Sequence, residues 1–199
     1  MEDKIKKQQI IDAAIEVIKE KGVEDATVRE IANRAGLTTG AIYYYYKNKD
    51  ELFYDVINQS VHFSHKISVM NESTIKNKDE LLAEIKKEIG IRLSKTGEQK
   101  LYILLLSDVI SKNGKMKEKY QTNYESIINN VADLYYFAFG VENNELKKII
   151  AAILLAAVDG IAIQTSLGIL PEDQESFIKV FNDFFAESIP LFLEKHLNK

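Results

Sequence analysis

The chain has 199 residues, no cysteine and a formal net charge of −4, and 46% of its residues are hydrophobic. That length makes one or two domains with enough apolar side chains for a buried core. The lack of cysteine excludes disulfides, cysteine-based zinc sites and thiol redox sensing. The opening Met-Glu-Asp-Lys-Ile-Lys-Lys has no apolar signal-peptide stretch, so a cytoplasmic protein is expected. Two prolines and nine glycines interrupt the chain little, and no alternation of strand type persists. An all-α protein follows.

A first helix carries Ile10, Ile11, Ala14, Ile15 and Ile18 and stops at Gly22. Thr27 and Glu30 form a T-x-x-E capping box, which starts a helix at Val28. Ile31, Ala32 and Ala35 share its inner face, and Gly36 stands where the left-handed residue that ends a helix belongs. Thr38 caps a second short helix over roughly 39–46. Ile42 and Tyr46, four apart, turn inward together. Thr38, Thr39, Gly40, Tyr43 and Tyr44 are left outward or at the exposed helix start. Asn48 and Glu51 form a further capping pattern, so a third helix begins near Lys49.

Two short helices joined by a tight turn form a helix-turn-helix, whose second helix enters the DNA major groove. Gly40 lets backbone approach DNA closely. The hydroxyls of Thr38 and Thr39 suit phosphates or base edges, and their methyls suit a thymine methyl. Tyr43 and Tyr44 offer hydroxyl-tipped plates to phosphate. Lys49, beside exposed helix-start amides, makes a phosphate site. Charge points the same way. Residues 26–49 hold Arg29, Arg34, Lys47 and Lys49 against Glu30 alone, while the remainder of the chain is net acidic. A locally positive face on an acidic body fits a specific DNA reader better than a general nucleic-acid coat protein.

The residues from Thr27 to Phe53 resemble the DNA-binding domain of the TetR family of bacterial transcriptional regulators. The resemblance rests on Thr27-Val-Arg-Glu-Ile-Ala, Ala35-Gly36-Leu37, Gly40-x-Ile42-Tyr43-x-x-Tyr46 and Lys47-x-Lys49-x-Glu51-Leu52. It extends over about residues 8–57. Two positions depart from the family pattern: Tyr46 replaces the usual Phe, and Tyr45 a common His. The resemblance implies a helix-turn-helix domain over 1–48 and a helical effector-binding and dimerisation domain over 49–199. DNA contacts are then expected at Thr27, Arg29, Thr38, Thr39, Gly40, Tyr43, Tyr44, Tyr45 and Lys49.

No Pro/Gly/Ser linker follows. The helix from Lys49 is expected to continue through Leu52, Phe53, Val56 and Ile57 to Ile67, with further helices near 79–95, 98–112, 115–139, 144–169 and 173–197. Residues 149–158, Ile-Ile-Ala-Ala-Ile-Leu-Leu-Ala-Ala-Val, are apolar all round but too short for a membrane span of ~20 residues. Such a helix is buried within the subunit and against a partner. The last helix carries Phe177, Phe181, Phe184, Phe185, Ile189 and Phe192 at helical spacing, with Pro190 expected to kink it. The family resemblance implies a four-helix homodimer interface from these two helices. Ile153, Ala156, Ala157, Gly160, Phe177, Phe181 and Phe184 are its expected members. A two-fold dimer fits a palindromic double-stranded operator.

The resemblance also implies a pocket for a small effector of unknown identity. Candidate liners are Phe63, Tyr102, Leu105, Tyr120, Tyr124, Phe137 and Gln164, although aromatic residues at this spacing also serve as plain core. The Leu, Ile and Phe content favours an apolar or amphipathic effector. His62 and His65 share a helix face but lack further ligands, so no metal site is expected. No Ser-His-Asp order, phosphate-binding Gly loop or His-Glu-x-x-His motif occurs. Neither enzyme activity nor a cofactor is expected. The leading reading is an effector-released repressor. A same-fold architectural or division-control DNA-binding protein that recruits a protein partner is the alternative, and a helical enzyme or carrier is the third.

Overall fold

The computed structural model describes residues 2–60, 77–111 and 114–197. Among these, nine helices and no strand occur: α1 Glu2–Lys21, α2 Val28–Arg34, α3 Thr39–Tyr45, α4 Lys49–Ser60, α5 Lys78–Ser94, α6 Thr96–Ser111, α7 Lys115–Phe139, α8 Asn144–Leu167 and α9 Gln174–Leu197. The fold is therefore all-α, with a helix-turn-helix near its start. The expected continuation of α4 to Ile67, with His62, Phe63 and His65, lies outside the described residues.

By packing, the chain forms two units. Among the described residues, one lies within 2–60 and 100–120, the other within 77–99 and 121–197. This division differs from the expected one at 48/49. Leu52, Phe53, Val56 and Ile57 of α4 are buried, and α4 packs on α1 within the first unit.

The first unit is built around α1, which packs on α2 and α4, while α2 packs on α3. Ile10, Ala14, Val17 and Ile18 give α1 its inner stripe. Ile31 and Ala32 of α2, Ile42 of α3 and Tyr46 complete the core at three- and four-residue spacing. The turn after α2 is a full Schellman motif. Leu37 N–H donates to the Ala32 carbonyl at 2.9 Å and Gly36 N–H to the Asn33 carbonyl at 3.2 Å. Gly36 has φ 64°, which a side chain would strain. Gln9 Nε2 donates to the Ala35 carbonyl at 2.7 Å, which pins this turn to α1.

The second unit buries Leu81, Ile85, Ile89 and Leu93 of α5 with Val131, Leu134 and Tyr135 of α7 and Leu154, Leu155, Val158 and Ile161 of α8. Each fully buried Leu or Ile contributes roughly 1.5–3 kcal/mol of transfer free energy. Helix α9 docks on α5 through apolar residues and a polar clamp. Lys86 Nζ pairs with Asp183 Oδ1 at 2.8 Å, and Asn182 Nδ2 donates to the Lys86 carbonyl at 3.1 Å. The helix continues through Pro190 to Leu197. A buried charge network also lies in this unit. Arg92 meets Asp159 at 2.6 Å, and the Tyr124 hydroxyl donates to the same carboxylate at 2.5 Å. No described helix is long and apolar enough to cross a membrane.

Candidate nucleic-acid interface

The capping residues set the geometry of the reading helix. Thr27 Oγ accepts from Glu30 N–H at 3.2 Å, and Glu30 accepts from Thr27 N–H at 3.3 Å, closing the box that starts α2. The Thr27 hydroxyl also gives its proton to Glu30 at 3.1 Å, so that donor is spent inside the domain. Glu30 further binds the Lys21 ammonium. That ammonium, followed by the Thr27 amide, holds the Glu30 carboxyl below its ordinary range.

Thr38 opens α3 by accepting from Ala41 N–H at 3.1 Å. This bond uses a lone pair of Thr38 and leaves its O–H to donate outward. Thr38, Thr39, Gly40, Tyr43 and Tyr44 are all exposed. Tyr44 is 79% exposed and Tyr43 53%, whereas Ile42 between the cap and the tyrosines is 1% exposed. One helix thus spends its apolar side on α2 and leaves a polar, aromatic side uncovered. Added side-chain volume at Gly40 meets nothing nearer than Thr38 Oγ1 at 3.8 Å, so a bare backbone at this point is a property of the open surface.

Several expected contacts are engaged within the chain instead. Tyr45 is half-buried, and its hydroxyl donates to Asp3 Oδ1 at 3.1 Å. Burial, then the Asp3 bond, raises its phenol above the ordinary value. Lys49 Nζ donates to the Val23 and Glu24 carbonyls at 2.8 and 3.2 Å and lies 4.8 Å from the Phe53 ring centre. It ties the start of α4 to the turn after α1. Arg34 forms a fork on Glu20 at 2.5 and 2.9 Å and reaches Glu16 at 3.0 Å. These carboxylates hold its guanidinium protonated more firmly than usual, Glu20 first. The positive face counted from the sequence is therefore smaller than expected. Arg29 and Lys47 remain as exposed cations of this segment. Asp3, Gln9, Glu16 and Glu20 of α1 do the positioning. No motif announces them, because their partners lie fourteen to forty-two positions away.

Elsewhere the expected site residues divide. Tyr102, Leu105 and Tyr120 are buried in the first unit, with the two hydroxyls 2.9 Å apart. Tyr124 is partly buried in the second unit and bound to Asp159. Phe137 is 43% exposed and Gln164 is exposed, so neither faces an interior. The inward face of α7 carries Val131, Leu134 and Tyr135, and Phe137 points away from it. Of the expected dimer residues, Ile153, Ala156 and Phe184 are exposed and Ala157 and Gly160 half-buried. Phe177 and Phe181 are half-buried and pack against their own subunit's core.

Comparison with known proteins adds to this picture. Residues 10–56 match the family of bacterial regulatory proteins, tetR family. The chain is 29% identical over 148 residues to the fatty acid metabolism regulator protein of Bacillus subtilis, covering 72% of each chain. It is 48% identical over 48 residues to the HTH-type transcriptional regulator BetI of Escherichia coli, covering 24% of this chain and 25% of that one. Among solved structures, the fatty acid degradation regulator FadR of Bacillus halodurans superposes with a TM-score of 0.68 at 20% identity. That match covers 91% of this chain and 94% of the other.

Proposed function

The chain belongs to the TetR family of bacterial transcriptional regulators, and we propose that it works as a homodimeric repressor released from a palindromic operator by a largely apolar effector. It is a DNA-binding regulator with a helix-turn-helix. The observation that carries the DNA reading is the uncovered side of α3, where Thr39, Gly40, Tyr43 and Tyr44 stand out from a helix whose Ile42 is buried. Thr38, Arg29 and Lys47 flank that surface with donors suited to phosphates. The protein acts in the cytoplasm, where its operator is.

Dimerisation is supported by a stripe along α8. Ile149, Ile153, Ala156, Gly160, Ile163 and Leu167 recur at alternating four- and three-residue steps. Ile149, Ile153, Ile163 and Leu167 are each about half exposed or more. Val180, Phe184 and Leu191 of α9 are exposed as well. Apolar surface in such a continuous band marks an association face. A two-fold axis sets two α3 helices on successive half-sites about one DNA turn (~34 Å) apart.

The effector class is supported by the Leu, Ile and Phe content of the chain and by the likeness to a fatty acid metabolism regulator of Bacillus subtilis. Fatty acids are therefore the first effectors to test. Genomic fragments retained by the protein give the operator, and that operator is then titrated against fatty acids of graded chain length. An effector that lowers operator affinity 100-fold must bind the DNA-free protein 100-fold more tightly, a coupling of ~2.7 kcal/mol. Equal effector affinity with and without DNA, or no effector binding at all, supports the architectural reading instead. Sedimentation of Ile153→Glu tests the dimer: a monomer that loses operator binding agrees with the proposal, and a monomeric wild type at micromolar concentration opposes it.

A further inference from the structure

A narrow crevice of about 20 Å³ lies within the second unit, lined by Ile85 and Ile89 of α5, Tyr135 of α7, Leu154 of α8, and Asn182 and Phe185 of α9, among others. Two of its lining residues carry a polar atom that is buried without a hydrogen-bond partner among the described residues, Tyr135 Oη and Asn182 Oδ1. The Asn182 amide is oriented by its other end, because Nδ2 donates to the Lys86 carbonyl at 3.1 Å and a flipped amide would face oxygen to oxygen. Burial alone pushes the Tyr135 phenol upward, so it stays a protonated donor. The lining residues thus carry one donor and one acceptor in need of partners. Leaving such groups unpaired weakens folding roughly 5- to 150-fold each.

Size decides what pairs them. A water needs about 10–15 Å³ of this kind of space, and the crevice offers little more. An organic effector does not fit. We propose that a single tightly held water occupies the crevice, accepting the Tyr135 hydroxyl proton and donating to Asn182 Oδ1. The water cross-links α7 to α9, and Asn182 carries the link on to the α5 backbone. The ion pair of Lys86 with Asp183 lies beside it. Together they fix the rotation of α9 that leaves Val180 and Phe184 outward.

The test is the electron density of full-length crystals of the wild type and of Tyr135→Phe. One peak at hydrogen-bonding distance from both Tyr135 Oη and Asn182 Oδ1, weakened or lost in Tyr135→Phe, is expected. A direct Tyr135–Asn182 bond, or no peak in the wild type, overturns the proposal. Urea unfolding gives an independent measure. Tyr135→Phe lowers the folding equilibrium constant roughly 3- to 10-fold in the wild type, and less in an Asn182→Ala background, because the two groups share one water. Equal losses in the two backgrounds overturn it as well.

Discussion

Tyr45 donates its phenolic proton to Asp3 Oδ1 at 3.1 Å, joining the last residue of α3 to the first turn of α1. A hydroxyl has one proton to give, so Tyr45 does not donate to phosphate while this bond stands. Tyr45→Phe is accordingly expected to leave operator affinity within about twofold, on the scale of one exposed contact. A tenfold loss, about 1.4 kcal/mol, measured by fluorescence titration would show that the tyrosine leaves Asp3 for DNA.

Lys49 and Arg29 are expected to separate by salt dependence. The Lys49 ammonium sits on the Val23 and Glu24 carbonyls, whereas Arg29 is exposed. Lys49→Ala lowers domain stability by about 1 kcal/mol and leaves the salt slope of operator binding near the wild type. Arg29→Ala reduces that slope by about 0.9 and weakens binding on all sequences. A reversal of the two slopes would assign the phosphate contact to Lys49.

Tyr46 carries a hydroxyl into a core position. It is 3% exposed, and no hydrogen bond of good geometry reaches its Oη. Burial first, and then the neighbouring Asp55 carboxylate, keep the phenol protonated far above its ordinary value. Tyr46→Phe removes the desolvation of that hydroxyl together with only a poorly aligned bond to Asp55, so it is expected to stabilise the protein by up to about 1 kcal/mol. Thermal unfolding at neutral pH measures it, and a lower midpoint would mean that the hydroxyl has a partner of value.

Asp183 predicts an acid limb. Its carboxyl is lowered from 3.8 to about 2, first by its bond to Lys179 and then by Lys86. The folded form binds its proton less readily than the unfolded form, so its contribution is full above pH 3.8 and fades as pH falls toward about 2. Asp183→Asn should therefore be less stable than the wild type at neutral pH. The gap should narrow across that window in urea midpoints. A gap independent of pH would show that the charge is not what holds Lys86 and α9.

Local patterns were the legible part of this protein. The Thr27–Glu30 box, the Gly36 turn, the Thr38 cap and the inward pair Ile42 and Tyr46 are short-range features, and each stands where its spacing places it. The later helices fall within two residues of their expected ends for the same reason. Side-chain allegiance was not legible. Arg34, Lys49 and Tyr45 read as a DNA-facing set because charge and hydroxyls near a recognition helix suggest it. Their partners Glu20, Val23 and Asp3 come together only through the packing of α1. The same limit explains Phe137 and Gln164, whose helical faces follow from tertiary packing, and Phe177 and Phe181, which are half-buried against the subunit's own core.

The most direct measurement is the operator affinity of Tyr43→Ala at fixed salt, with sedimentation of the same sample to show an unchanged assembly state. Tyr43 is 53% exposed on α3, so its loss is expected to leave the fold intact. The expected result is a loss of ~1–3 kcal/mol of specific binding with non-specific binding little altered. Unchanged operator affinity in Tyr43→Ala, and again in Thr39→Ala, would contradict the claim that this face of α3 reads DNA.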